Sequence, residues 1–218
     1  AAIGMPTDAG GEGSVMFLAR SAAGAWTSSG VVFPAKDAKT YAAVKGKEVL
    51  CGAEGKAGEF ECGNASLLSF LPIEAIGGKR GTQMNDNWGW TDPQTGREIA
   101  ILGRTDGTSF VDVTDAANPR YLGNLPKTKG SPSAAWRDMK VYKDHVFIVA
   151  DNAGEHGMQV FDLTRLRTVR APREFTPDLT YDRINSAHNI VANEATGFMY
   201  IVGGSGGGET CGGGHHAV

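Results

Sequence analysis

From about residue 84 to its end, the sequence repeats itself with a period of close to fifty residues. Equivalent apolar positions recur at Ile101, Ile148 and Ile201, so the successive periods are 47 and 53 residues. Each copy has the pattern of strand, turn and strand, and its second strand is rich in β-branched and aromatic side chains. A period of ~40 to 50 residues with about four short strands is typical of the blades of a β-propeller.

Further strands follow in each copy. The segment GTSFVDV at 107–113 resembles GMQVFDL at 157–163 and predicts a third strand. Residues 115–123 begin as a turn rich in Asp, Asn and Pro and lead into a fourth, outer strand. Residues 214–218 look like the start of the third element again. Because half a strand pairs poorly, we expect more residues of this fold after Val218.

The sequence therefore predicts an all-β protein, a β-propeller of four-stranded blades. Three blades are too few to close a ring, since propellers use roughly 4 to 8. We expect an incomplete ring of about three blades plus an N-terminal region at 1–80. The blades then occupy 81–218, with repeats that start near 84, 134 and 184 and with the last repeat truncated. In the N-terminal region, apolar runs at 15–18 and 31–33 predict strands, and 37–44 can form a short helix.

The cysteines and the first residues indicate the cellular compartment of the protein. Cys51 and Cys62 lie 11 residues apart in a Gly-rich stretch and predict a disulfide, whereas Cys211 is either a free thiol or bonded to a missing partner. The first residues, Ala1-Ala2-Ile3-Gly4, form an N-terminus of the small-residue type that is left after a signal peptide is removed. No apolar run approaches the ~20 residues that span a bilayer. We expect a secreted or cell-surface protein without a transmembrane segment.

Composition and charge indicate which classes of partner are expected. The formal net charge is -3 and no run is rich in Lys and Arg, so we expect no nucleic-acid partner. The 31 glycines show no Gly-X-Y period, which indicates many tight turns and favours an all-β fold.

The repeated segments resemble those of the choice-of-anchor B family, which are bacterial proteins with LVIVD-type repeats. The matching stretches are NDNWGWTDP at 85–93, GTSFVDV at 107–113, WRDMKVY at 136–142, HGMQVFDL at 156–163 and SAHNIV at 186–191. The resemblance covers about residues 84–218. It implies a secreted propeller tethered to the cell surface. It implies no general enzymatic activity, so no catalytic residues are carried over.

One candidate metal site follows from the repeat. A constant period puts Trp88, Asp138 and His188 at equivalent positions at the start of the inner strands, which line the central channel of a propeller. Asp138 and His188 are suitable ligands for a transition metal. The alternative is that both side chains make structural hydrogen bonds.

A second candidate metal site is the loop at 150–157. Asp151, Asn152 and Glu155 supply oxygen atoms of the kind that Ca²⁺ binds, although their spacing is not that of an EF-hand. The alternative is an ordinary Asn/Gly turn. The candidate cofactors are therefore Ca²⁺ or a transition metal.

The tryptophans suggest a third kind of site. Trp88, Trp90 and Trp136 either form an aromatic platform for sugars or pack between blades. No Gly-x-Ser-x-Gly nucleophile elbow occurs. We therefore expect a binding or scaffold module with a protein or surface glycan partner and without catalysis. The alternatives are a metal-dependent enzyme with its ion in the channel, and a self-associating filament or matrix subunit.

Overall fold

In a computed structural model of the chain, residues 2–5, 14–18, 41–79, 81–206 and 215–217 are described. Strands make up 45% of the structure and helix 6%, which confirms the all-β prediction. The strands are, in chain order, β1 (Ala2–Met5), β2 (Ser14–Leu18), β3 (Lys56–Ala57), β4 (Phe60–Glu61), β5 (Leu67–Pro72), β6 (Met84–Thr91), β7 (Glu98–Arg104), β8 (Gly107–Asp112), β9 (Arg120–Pro126), β10 (Arg137–Tyr142), β11 (His145–Ala150), β12 (Met158–Asp162), β13 (Arg173–Glu174), β14 (Leu179–Tyr181), β15 (Asn189–Asn193), β16 (Phe198–Val202) and β17 (His215–Ala217). Short 3₁₀ helices lie at Ile73–Ile76 and Leu163–Thr168.

Four main sheets contain most of these strands. Sheet I has the order β1-β2-β5, sheet II β6-β7-β8-β9 with β13 beyond β9, sheet III β10-β11-β12-β14, and sheet IV β15-β16-β17. Within each sheet the neighbours are antiparallel, except that β13 is parallel to β9. The third strands predicted at 107–113 and 157–163 are confirmed as β8 and β12, and the predicted outer strand after residue 115 is β9.

The sheets stack face to face and bury apolar side chains on both faces of sheets II and III. Between these two sheets lie Ile101 and Phe110 of sheet II and Met139, Ile148 and Phe161 of sheet III. The Phe110 and Phe161 rings stack with centroids 4.9 Å apart. Burial on both faces explains the long apolar runs in β7 and β8, where almost every residue is buried.

The first strands of successive sheets lie side by side. In this way β1 contacts β6, β6 contacts β10, and β10 contacts β15. Leu71 of sheet I, with Ile73 and Ile76 of the 3₁₀ helix that follows β5, packs on sheet II, so the N-terminal region joins the same stack.

The register of the hairpins formed by the first two strands of sheets II, III and IV corrects the alignment that was made with a constant period. The hydrogen-bond ladders place Trp88 opposite Ile101, Met139 opposite Ile148, and Ile190 opposite Ile201. Ile101 packs toward sheet III, whereas Leu102, Ile148 and Ile201 each pack toward the preceding sheet, so Leu102 is the counterpart of Ile148 and Ile201. Asn87, which lies opposite Leu102, is therefore equivalent to Met139 and Ile190, and Trp88 is equivalent to neither Asp138 nor His188. The hairpin loops between the first two strands contain six, two and four residues in sheets II, III and IV, so no constant spacing can follow the ladder. A shift of one residue moves a side chain to the other face of its sheet.

One glycine permits the parallel pairing of β13. Gly123 has a φ of 136° and pairs with Arg173, and a Cβ on Gly123 would lie 1.9 Å from the carbonyl oxygen of Arg173. Only a residue without a side chain lets the two backbones come this close.

Two predictions for the N-terminal region are confirmed, and the predicted helix is wrong over the residues that the structure describes. The disulfide Cys51–Cys62 is present, and β2 forms at the apolar run 15–18. The run at 31–33 and residues 37–40 of the predicted helix lie outside the described residues. Residues 41–44 are not helical, because Val44 bridges Phe70 of β5 instead.

Candidate functional site

A pocket of about 470 Å³ opens where the first strands of sheets II, III and IV lie side by side, and we call it the inner pocket. Its lining residues are Asn85, Asp86, Trp136, Arg137, Asp138, Lys140, His188 and Asn189. Two residues predicted from the sequence, Asp138 and His188, are thus brought to one pocket. The residues come from three sheets and are mostly polar, as expected of a site that orients a ligand with hydrogen bonds.

Asp138 links the inner strands of sheets III and IV. Its Oδ1 accepts hydrogen bonds from Lys140 Nζ and from the backbone N–H of Met139, the latter at 2.8 Å. Its Oδ2 accepts from the N–H of Ile190 at 2.7 Å and from Asn189 Nδ2 at 3.3 Å. This carboxylate is surrounded by four donors, which agrees with the structural alternative considered for it rather than with a metal ligand.

Asn85 makes the corresponding link between sheets II and III. Its Nδ2 donates to the carbonyl oxygen of Arg137 at 3.0 Å. The Oδ1 of the same amide is buried and has no hydrogen-bond partner among the described residues. Asn85 and Asp138 together connect the first strands of sheets II, III and IV.

Two neighbouring carboxyl groups in the pocket differ in their affinity for protons. Burial raises the pKa of Asp86 above its ordinary value, and the nearby Asp138 raises it further. Burial also acts to raise the pKa of Asp138, but hydrogen bonds from Lys140 and the N–H of Ile190 outweigh it, so the pKa of Asp138 is lowered. Asp86 is therefore the member of the pair that takes up a proton first as the pH falls.

The rim of the inner pocket presents an aromatic ring and an imidazole. Trp136 is 58% exposed. His188 is 57% exposed, and its Nδ1 lies 2.8 Å from Asp151 Oδ2. The N–H of Asp151 donates to the carbonyl oxygen of Trp136 at 3.0 Å, so these three residues form one side of the rim. On another side, Lys140 Nζ lies 4.5 Å from the ring centroid of Trp88.

The three tryptophans do not form a single platform. Trp90 is buried in the core between sheets II and III, and its Nε1 donates to Asp144 Oδ1 at 3.0 Å, so packing explains it. Trp88 lies under the Lys140 ammonium group, and Trp136 alone of the three lines the inner pocket.

The predicted calcium loop is a turn whose polar groups point to different partners. Asp151 Oδ1 accepts from the N–H of Asn152, which has a φ of 51°, while Oδ2 faces His188. Glu155 is exposed. Within the described ranges, no group of three or more His, Cys, Asp or Glu side chains is placed to hold a metal ion.

Two basic side chains make a buried contact beside the pocket that no pattern in the sequence predicts. Arg137 Nη1 lies 2.9 Å from His156 Nε2, and Arg137 Nε donates to the carbonyl oxygen of Arg104 at 2.6 Å. Burial lowers the pKa of Arg137 to about 10. Burial, and then the Arg137 charge, lower the pKa of His156 to about 4, so this imidazole is neutral at pH 7 and can accept from Arg137.

The buried His156 predicts a loss of stability in mild acid. Its pKa is lower in the folded state than in the unfolded chain, so below pH ~6.5 the unfolded chain binds a proton that the folded protein does not. We expect the free energy of unfolding, measured with urea, to fall by about 2 kcal/mol between pH 7 and pH 4.5 from this group. His156→Gln should remove this part of the pH dependence, whereas the exposed His188→Gln should keep it. An unchanged pH profile in His156→Gln would contradict the assignment.

Comparison of the chain with protein-family models, with curated proteins and with solved structures finds no match. In the part of the chain that the structure describes, no helix is long and apolar enough to cross a membrane.

Proposed function

We propose that this chain is part of a secreted β-propeller of the choice-of-anchor B type, and that its inner pocket binds a neutral sugar of a surface glycan without chemical turnover. The observation that carries the proposal is the exposed ring of Trp136 beside the polar groups of the inner pocket. The disulfide Cys51–Cys62 is consistent with an oxidising, extracellular compartment.

The stacking of the sheets supports the propeller. Successive sheets of three to five strands pack face to face with their first strands side by side, as blades do around an axis. Sheet IV buries Ile190, Met199 and Ile201 against sheet III. Its other face exposes Val191, Phe198 and Tyr200, which are each roughly half exposed. Sheets II and III cover faces of this composition with a neighbouring sheet, so a further blade is expected there.

The chemistry of the pocket favours a neutral ligand with many hydroxyl groups. The Lys140 ammonium compensates the charge of Asp138, and Asp151 engages His188 at the rim. The remaining lining groups, which include Asp86, Arg137 and Asn189, offer both donors and acceptors. Sugars present hydroxyl groups around their edge and an apolar C–H face that packs on an exposed aromatic ring. The volume of about 470 Å³ lies within the usual range of small-ligand sites.

Calorimetric titration with neutral hexasaccharides of glucose, xylose, mannose and N-acetylglucosamine tests the proposal. We expect one of them to bind, and Trp136→Ala to weaken its binding about tenfold because the stacking surface is lost. The matched control is Phe198→Ala, which removes an exposed ring far from the inner pocket and should leave affinity unchanged. Absence of binding to every sugar, or equal losses in the two variants, would contradict the proposed function.

A further inference from the structure

Six arginines lie on the segment 163–174 and on the part of sheet II that contacts it, although the chain as a whole is acidic. Four of them come from the segment 163–174, and two reach it from sheet II. They are Arg97, Arg120, Arg165, Arg167, Arg170 and Arg173, and we call this group the arginine edge. Arg97 Nη1 donates to the carbonyl oxygen of Leu166 at 3.3 Å, and Arg120 Nη1 to that of Val169 at 3.3 Å. Arg97 and Arg120 therefore lie against the segment 163–174.

Three of these arginines have structural partners. Their ion pairs are Arg97 with Asp112 at 2.8 Å, Arg165 with Asp178 at 2.8 Å, and Arg167 with Asp92 at 2.6 Å. Asp92 is almost fully buried, and the Arg167 hydrogen bonds hold its pKa well below the ordinary value. These three carboxylates are therefore already engaged in ion pairs within the fold.

The other three arginines keep excess positive charge at the surface. Arg170 is exposed and makes no hydrogen bond or ion pair with any described residue. The exposed Arg173 guanidinium lies 4.9 Å from the ring centroid of Phe175 and has no carboxylate partner in the described chain. Arg120 is 49% exposed and lies 3.5 Å from Asp112, which Arg97 already holds more closely. Glu174 is the acidic residue of the segment 163–174.

Backbone contacts bring the residues that carry these three guanidinium groups near one another. Arg173 pairs with Gly123 in the parallel ladder of β13 and β9. Arg120 Nη1 donates to the carbonyl oxygen of Val169, the residue before Arg170. Arg170 is three positions before Arg173, and three residues of chain span at most about 10 Å, so all three arginines lie on one part of the surface.

We propose that the arginine edge binds an acidic polysaccharide, whose carboxylate or sulfate groups pair with Arg120, Arg170 and Arg173. Guanidinium groups form two parallel hydrogen bonds with such anions. The residues between the free arginines, Ala171 and Pro172, supply no apolar anchor of the kind at the centre of protein interfaces. Phe175 is buried and cannot stack on a nucleobase. A polymer with repeated anionic groups fits this cluster better than a folded protein or a nucleic acid does.

Binding of the purified full chain to immobilised polygalacturonate and dextran sulfate tests the site. We expect binding to at least one of these polymers, and R170E/R173E to weaken it by tenfold or more, with a shallower dependence on salt because fewer counterions are released. The matched control is K129E/R183E, which changes the charge equally at two exposed residues outside the arginine edge and should weaken binding far less. All four residues are exposed, and thermal unfolding of each variant verifies that it is folded.

Three outcomes would overturn this proposal. They are no binding to either polymer, equal losses in both double variants, and equal binding of poly-L-glutamate or duplex DNA by the unmodified protein. Trp136→Ala should leave polysaccharide binding at the arginine edge unchanged, so failure of the sugar site in the inner pocket and failure of this site are distinguished.

Discussion

Asp138→Ala is expected to lower the free energy of unfolding by about 3 kcal/mol. The carboxylate is 5% exposed and accepts hydrogen bonds from two residues of β10 and two of β15. Its removal leaves the N–H of Ile190 without its acceptor and takes away the link between the two inner strands. Urea unfolding monitored by tryptophan fluorescence measures the change.

Two control variants separate the role of the charge from the role of the hydrogen bonds. Asp138→Asn keeps an oxygen that can accept from Ile190 and should lose less stability than Asp138→Ala. Asp151→Ala removes a more exposed carboxylate at the pocket rim and should cost less than about 1 kcal/mol. A loss in Asp138→Ala no larger than that in Asp151→Ala would show that the link between β10 and β15 does not stabilise the fold.

Phe161→Ala is expected to cost about 4 kcal/mol. The ring is fully buried, stacks on Phe110 at 4.9 Å, and meets the edge of Phe175 at 5.1 Å. Its truncation creates a cavity in the core that holds sheets II and III together. The midpoint of thermal unfolding and the urea midpoint should both fall sharply.

The comparison for this second variant is Phe198→Ala, which truncates the same residue type on the exposed face of sheet IV. It should cost less than about 1 kcal/mol because the ring is already half in water. Equal losses in the two variants would mean that the interface between sheets II and III contributes no more than a surface contact. That result would remove the main support for stacked blades.

The candidate site was only partly predictable. The sequence singled out Asp138 and His188, and the structure places both at the inner pocket, but for Asp138 the role is a link between strands. The alignment with a constant period failed because register depends on the hydrogen-bond ladder and on hairpin loops of unequal length. The two-residue turn at Lys143 and Asp144 has φ of 45° and 62°. It contains neither the Asn nor the Gly that would predict such a turn from the sequence.

The sequence alone determined the strand class, the positions of most strands after residue 84 and the pairing of Cys51 with Cys62. These features depend on residues that are close along the chain, through apolar runs, turn residues and short spacings. The tertiary structure alone decided which side chains meet. The inner pocket, the contact of Arg137 with His156 and the arginine edge each join residues from different strands or sheets, and packing between distant segments determines such contacts.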